Sequence, residues 1–180
     1  MAILSGQLIC GHGGLPSHGS FGHLLYAAHI SMSCTIVIEW TGGQDLDICG
    51  FWSHEPSKMI GYSYTDKLDD LRGCKANWTS GDNTSGGPET VTLEYSGIVG
   101  MSGKTFEIHF NWYRIGADED SDEQTAGGSA TVRVTDQTGF TRSITVVPPV
   151  CLHRAATPSD PGIAISFTKS GKVAAILPAA

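Results

Sequence analysis

The chain has 180 residues, of which 16% are charged, and a formal net charge of −7. This length allows one domain, and the acidic balance excludes the clustered lysines and arginines of a nucleic-acid-binding surface. Glycine accounts for 23 residues, nearly twice the usual share of about 7%. The composition therefore disfavours a helical bundle and favours short strands joined by many turns.

The first 30 residues are rich in glycine and histidine. We interpret residues 1–30 as an N-terminal arm or edge segment, in which only residues 21–30 could form a short helix. The start of the chain has no basic segment followed by a long apolar run, and no stretch of 18 consecutive apolar residues occurs. We therefore expect neither a signal peptide nor a transmembrane segment, which favours a cytoplasmic or virion location.

The five cysteines are odd in number and widely spaced. Without a signal peptide, buried thiols are expected instead of disulfides. A zinc site is disfavoured because Cys10-Gly11-His12 has no second Cys/His pair at zinc-finger spacing.

Nine segments carry the apolar alternation or the β-branched and aromatic enrichment that is typical of strands. Glycine, aspartate, asparagine or proline bounds them, and residues 136–139 and 169–171 form candidate hairpin turns. The pattern predicts an antiparallel β-sandwich of about eight or more strands with little helix, a single domain over residues 31–180. The predicted strands cover residues 34–40, 46–52, 58–64, 89–95, 105–112, 130–134, 143–147, 162–167 and 172–177.

Aromatic residues are expected mainly in the core. The simplest positions for Trp40, Trp52, Trp78 and Trp112 are the core or a sheet face, whereas an exposed aromatic pair would indicate a carbohydrate-binding platform. His109 alternates out of phase with its apolar neighbours and is expected to face away from them, towards solvent or a second sheet. The acidic run at 118–123 lacks EF-hand spacing and indicates a solvated loop.

Oxygen-bearing side chains are concentrated between Trp40 and Tyr95. Asp45 and Asp47 flank a leucine, and alternation would place both carboxylates on one side of a strand, where they repel unless a cation lies between them. The polar loop at 78–89 and the segment at 66–70 offer further oxygens, and calcium prefers six to eight such ligands. The alternative is that these acids cap turns. The candidate ligands are Asp45, Asp47, Asp69, Asp70, Asp82, Asn83 and Glu89.

Two motifs carry a resemblance. Trp40 followed by Asp45-Leu46-Asp47, and the later run from Gly81 to Glu89 before a strand, resemble the tellurite-resistance calcium-binding family and the YfaP-like family, both bacterial β-sandwich groups. The resemblance covers about residues 36–147 and implies calcium binding by Asp45, Asp47, Asp82 and Asn83. The tellurite-resistance family continues its loop with a run of acids where this chain has Gly87-Pro88-Glu89, which favours a single calcium site over two.

No catalytic motif stands out. A Gly-x-Ser-x-Gly elbow, a phosphate-binding loop and a His-Glu-x-x-His pair are all absent from the sequence. We therefore expect a non-enzymatic binding module, with calcium as the candidate stabilising ion. A pair of glycosidase carboxylates stays open as the enzymatic alternative, because such a pair is defined by its separation in space. Two alternatives stay open, a structural subunit of a capsid, tail or similar assembly with protein partners, and a carbohydrate-binding module; neither nucleic acid nor a membrane is expected as a partner.

Overall fold

The computed structural model shows two antiparallel sheets packed as a β-sandwich, which confirms the predicted fold class. It describes residues 31–41, 44–69, 73–84, 86–96, 103–114, 128–151 and 153–179. In this part of the chain there are ten strands and no helix. The strands are β1 (Ser31–Glu39), β2 (Asp45–Trp52), β3 (Lys67–Asp69), β4 (Cys74–Trp78), β5 (Glu89–Ser96), β6 (Thr105–Arg114), β7 (Ala130–Asp136), β8 (Thr141–Val146), β9 (Gly162–Phe167) and β10 (Val173–Pro178).

The larger sheet has six strands in the order β3-β4-β5-β1-β7-β8, and the smaller has four in the order β10-β9-β6-β2. Strand β1 is central in the larger sheet, with Ile36 opposite Val91 of β5 and Val134 of β7. Its burial alternates residue by residue, because one face of the sheet lies on the core. The predicted turn at 136–139 joins β7 and β8, where the Gly139 N–H donates to the Asp136 carbonyl.

The core lies between the sheets. Strand β6 supplies alternate apolar side chains from Phe106 to Trp112, and the rings of Trp52 and Phe106 meet edge to face at 5.1 Å between centroids. All four tryptophans are at most 6% exposed, so the prediction that they are core residues is confirmed. The exposed tryptophan platform of a carbohydrate-binding module is correspondingly not found.

Strand β2 is buried on both faces, although it lies at the edge of the smaller sheet. Two connections cover its outer side, where Cys49, Phe51 and Ala156 form a second apolar cluster. His109 does face away from the main core as predicted. Its ring stacks on Phe51 at 5.4 Å and is only 3% exposed, so it faces neither solvent nor a second sheet but lies beneath the connection that follows β8.

Of the other predictions, some are confirmed, one is wrong and some lie outside the described residues. Cys34, Cys49 and Cys74 are buried thiols that form no disulfide, as predicted. The predicted strand at 58–64 is wrong, because this segment consists of turns and bends with two isolated bridges, both at Ile60. The N-terminal arm with its candidate helix, Cys10 and the acidic loop at 118–123 lie outside the described residues. No helix long and apolar enough to cross a membrane occurs in the described ranges.

Candidate metal site

One half of the candidate site is the start of strand β2. Asp45 and Asp47 are two residues apart on this strand, and both are at most 5% exposed. Asp47 lies opposite Asn111 of β6, and the register shifts between Asp45 and Leu46. The two acids are thus fixed on the edge strand of the smaller sheet.

The other half is the connection between β4 and β5 in the larger sheet. It carries Asp82, an exposed residue, directly after Gly81, whose φ of 69° lies in the left-handed region that glycine favours. The Thr79 N–H donates to the Thr90 carbonyl at 2.8 Å, which continues the β4–β5 pairing up to the base of the loop. The loop is therefore closed at its base.

Trp40 holds the two halves together. Its indole N–H donates to the Gln44 carbonyl at 2.8 Å, which fixes the residue before Asp45. Gly87 of the loop packs directly on the Trp40 ring, where an added Cβ would lie 2.7 Å from Cε3. Because a side chain at residue 87 would separate loop and ring, the glycine is required for this close approach.

The carboxylates of Asp45, Asp47 and Asp82 converge. Each offers an oxygen, and the three oxygens all lie within 4.8 Å of one another. Ligands on opposite sides of a calcium ion are separated by about twice the Ca–O distance of 2.3–2.6 Å, about 4.6–5.2 Å. One calcium ion could therefore contact all three carboxylates without a rearrangement of the backbone.

The three carboxylates of the cluster repel one another. Burial, followed by the charges of Asp45 and Asp82, raises the pKa of Asp47 to about 7. Burial also raises the pKa of Asp82. Asp47 Oδ2 is buried and has no hydrogen-bond partner, which is unusual because buried polar atoms are nearly always paired. A cation would both neutralise the repulsion and satisfy this oxygen.

Glu89 lies deeper than the three aspartates. It is fully buried at the start of β5, where its carboxylate accepts the Trp78 indole N–H at 3.2 Å and the Asn83 backbone N–H at 3.4 Å. Burial raises its pKa to about 9, and the charges of Asp82 and Asp47 add to the effect. Glu89 therefore anchors the Asp82 loop from behind, and the structure does not place it among the three converging carboxylates.

The remaining candidates are divided. Asn83 follows Asp82 and donates from its side chain to the Pro88 carbonyl at 3.0 Å, so it stabilises the loop beside the cluster. Asp69 does not join the cluster: it is exposed on β3 and pairs with Lys75 at 3.2 Å. Lys75 lies three residues before Trp78 on β4, about 10 Å along the strand from the loop. Asp70 lies outside the described residues.

The roles of Trp40 and Trp78 in supporting the site were not predicted from the sequence. The alternation of Cys74, Ala76 and Trp78, all buried, would have indicated that the Trp78 ring points between the sheets at the base of the loop. The role of Trp40 in contacting Gly87 had no local signal, because the two residues are distant in sequence.

Comparison of the chain with protein-family models, with curated proteins and with solved structures finds no match. The resemblance to the tellurite-resistance and YfaP-like families therefore rests on the short motifs alone. Any function must be argued from the site itself.

Proposed function

We propose that this protein is a non-enzymatic β-sandwich module that binds one calcium ion at Asp45, Asp47 and Asp82. The observation that carries the proposal is the convergence of three carboxylates from two different sheets around a buried, unpartnered oxygen of Asp47. All three ligands are hard oxygens, as calcium prefers, with no nitrogen or sulfur among them. Asn83 and water would complete the shell.

Binding would clamp the sandwich at one end. Asp45 and Asp47 belong to the smaller sheet, whereas Asp82 follows β4 of the larger one. An ion shared between them links the sheets, and because the unfolded chain has no such site, binding stabilises the folded state by mass action. At a calcium concentration of 100 times Kd the gain is about 2.7 kcal/mol, or roughly 5–10 °C in Tm for a domain of this size.

The test is a calcium titration reported by terbium luminescence and by calorimetry. Terbium replaces calcium at oxygen sites, and we expect Trp78, the last residue of β4 before the Asp82 loop, to sensitise its emission. We expect calcium to quench this emission by competition. Asp82→Asn should weaken calcium binding by roughly tenfold or more, equal to about 1.4 kcal/mol.

Asp66→Asn is the matched control, because Asp66 is equally exposed but is not one of the three converging carboxylates. It should bind calcium like the wild type. Wild-type protein that gives no sensitised emission and no calorimetric signal would contradict the proposal, as would equal effects of the two variants.

A second candidate function, a subunit of a larger assembly, is favoured by one apolar edge. A cleft of about 200 Å³ there is lined by Phe110, Ile144, Ile163 and other, mainly apolar, residues. Val147 and Leu177 beside it are 74% and 59% exposed. Such a surface is better covered by a second copy of the chain than by water.

Sedimentation over a range of protein concentrations tests this candidate. We expect association in the wild type and its loss in Val147→Asp, because a charge in an apolar contact would be desolvated. Thr141→Asp, at the other end of β8, should associate normally. A wild type that stays monomeric at every concentration would exclude self-assembly.

A further inference from the structure

An aromatic surface lies on the outer side of the smaller sheet, where Tyr113 is two residues after Asn111, the residue opposite Asp47. The rings of Tyr62 and Tyr113 meet at 6.0 Å between centroids and 63° between planes, and those of Tyr113 and His153 at 5.7 Å and 82°. Tyr62 is 41% exposed, His153 is exposed and Tyr113 is half-buried between them. We call these three residues the aromatic corner.

The first side of the aromatic corner is held by a tight turn. The Tyr64 N–H donates to the Gly61 carbonyl at 3.0 Å, so Tyr62 lies at the tip of the turn. Gly61 packs so closely on β2 that a side chain would overlap the Ile48 carbonyl oxygen. Two backbone hydrogen bonds between Ile60 and Gly50 fix the turn further. The Tyr62 ring is therefore presented by a rigid support.

The second side is a similar turn. The Arg154 N–H donates to the Cys151 carbonyl at 3.3 Å, and the His153 N–H donates to the Tyr113 carbonyl at 3.0 Å. The backbone of His153 is thus attached directly to β6 beside the ring that it contacts.

Both turns contain a strained residue. Ser63 has a φ of 68° and His153 a φ of 58°, and they are the non-glycine residues with positive φ in the described part of the chain. The third position of such turns normally selects glycine or asparagine. Strain of this kind persists where the surrounding structure enforces it and is concentrated at ligand-binding positions. Ser63 directly follows Tyr62 and His153 is itself one of the three rings, so both instances lie at the aromatic corner, which points to a binding surface.

The chemistry of the aromatic corner selects a neutral, hydroxyl-rich ligand. An exposed tyrosine ring offers an apolar face against which the C–H face of a sugar ring can stack. Tyrosine hydroxyls and a neutral imidazole both donate and accept hydrogen bonds, which matches sugar hydroxyls. The net charge of −7 disfavours anionic ligands. A proline-rich peptide is recognised in longer aromatic-lined grooves, which three rings in edge-to-face contact do not form.

We propose that the aromatic corner of Tyr62, Tyr113 and His153 is a carbohydrate-binding site, in which a ring of a neutral oligosaccharide stacks on Tyr62 and its hydroxyls bond to the Tyr113 and His153 side chains. The rigid turns lower the entropic cost of binding, because the rings are ordered before the ligand arrives. None of its residues is one of the three converging carboxylates, so sugar binding is tested without calcium.

Calorimetric titration with cellohexaose, xylohexaose and mannohexaose, in the presence of a chelator, tests the proposal. We expect at least one of them to bind, and binding to weaken by roughly tenfold or more in Tyr62→Ala and in His153→Ala. Tyr62→Phe keeps the stacking face and should stay close to the wild type. Tyr62→Ala should fold normally, because the ring that it removes lies at the surface, outside both apolar clusters.

Phe140→Ala is the matched control, since Phe140 is an aromatic residue 49% exposed in the distant β7–β8 turn. It should bind like the wild type. The proposal is overturned if none of the three oligosaccharides binds, if Phe140→Ala weakens binding as much as Tyr62→Ala, or if the aromatic corner binds a proline-rich peptide instead.

Discussion

Asp47→Asn is expected to stabilise the metal-free protein by about 2 kcal/mol at pH 8 and to abolish its stabilisation by calcium. The metal-free wild type holds Asp47 beside Asp45 and Asp82 with a buried oxygen that has no partner. An amide of the same shape removes one charge and supplies two N–H donors to the neighbouring carboxylates. The same substitution removes a calcium ligand, so the order of stability should reverse when calcium is added.

The pH dependence of the metal-free protein follows from the same conflict. Asp47 has an ordinary pKa of 3.8 that rises to about 7 in the folded state, chiefly through burial. Between these values the folded state retains a proton that the unfolded chain has lost, so stability falls as pH rises from about 4 to about 7. Glu89, with a pKa raised to about 9, extends the fall to higher pH. Asp47→Asn should flatten the lower part of this profile.

Chemical denaturation at pH 5 and pH 8, with chelator and with calcium, measures these effects. Asp69→Asn is the matched control, because Asp69 is exposed and lies outside the cluster. The free energy of unfolding of Asp69→Asn should stay within about 0.5 kcal/mol of the wild-type value under every condition. An Asp47→Asn variant that is less stable than the wild type in chelator at pH 8 would show that the carboxylates do not repel, and the argument for a cation would fail.

Strands with a strong two-residue alternation were predicted correctly, as were the mostly apolar β2 and β10. In β5, Val91, Leu93 and Tyr95 face the core, and β6 repeats the pattern with larger side chains. Strands β3 and β4 were missed, because β3 has three residues and β4 buries the small side chains of Cys74 and Ala76. The segment at 58–64 was misassigned, because its aromatic residues indicated a strand whereas they are exposed on a turn.

The site could be predicted in part for the same reason. Alternation correctly associated Asp45 with Asp47, and the glycine-rich loop indicated Asp82. Local patterns carry no information about which loop approaches which strand, so Asp69 was grouped with them although it lies on another part of the larger sheet. The burial of a side chain could not be predicted either. Glu89 has the chemistry of a ligand, but its position at the start of β5 points it into the core.

The side chain of Asn111 holds the connection between β8 and β9 against the outer side of the smaller sheet. Asn111 is fully buried on β6. Its amide donates to the carbonyls of Cys151, at 3.2 Å, and Arg154, and its oxygen accepts the Cys151 N–H at 2.9 Å. Asn111→Leu keeps the number and branching of the side-chain heavy atoms and removes all three bonds. The Cys151 N–H retains the Trp112 carbonyl as an acceptor and the Cys151 carbonyl retains the Arg154 N–H, but the Arg154 carbonyl loses the amide donor.

We expect this substitution to cost about 3 kcal/mol of stability, or roughly 6–12 °C in Tm. The loss should be local at first, because the connection covers Cys49 and Phe51 while the main core lies on the other side of the sheet. Alkylation followed by peptide mass spectrometry distinguishes local opening of the connection from global unfolding. Labelling of Cys49 should accelerate by about 100-fold, whereas Cys34, which is part of the main core, should react only through global unfolding.

Asn77→Leu provides the matched control, since Asn77 is a half-buried asparagine on strand β4 of the other sheet. It should leave the labelling ratio of Cys49 to Cys34 unchanged. If Asn111→Leu accelerates the labelling of both cysteines equally, the connection and the sandwich unfold as one unit. Asn111 then contributes to global stability only. A selective effect on Cys49 would instead show that three hydrogen bonds from one side chain close this layer over the sheet.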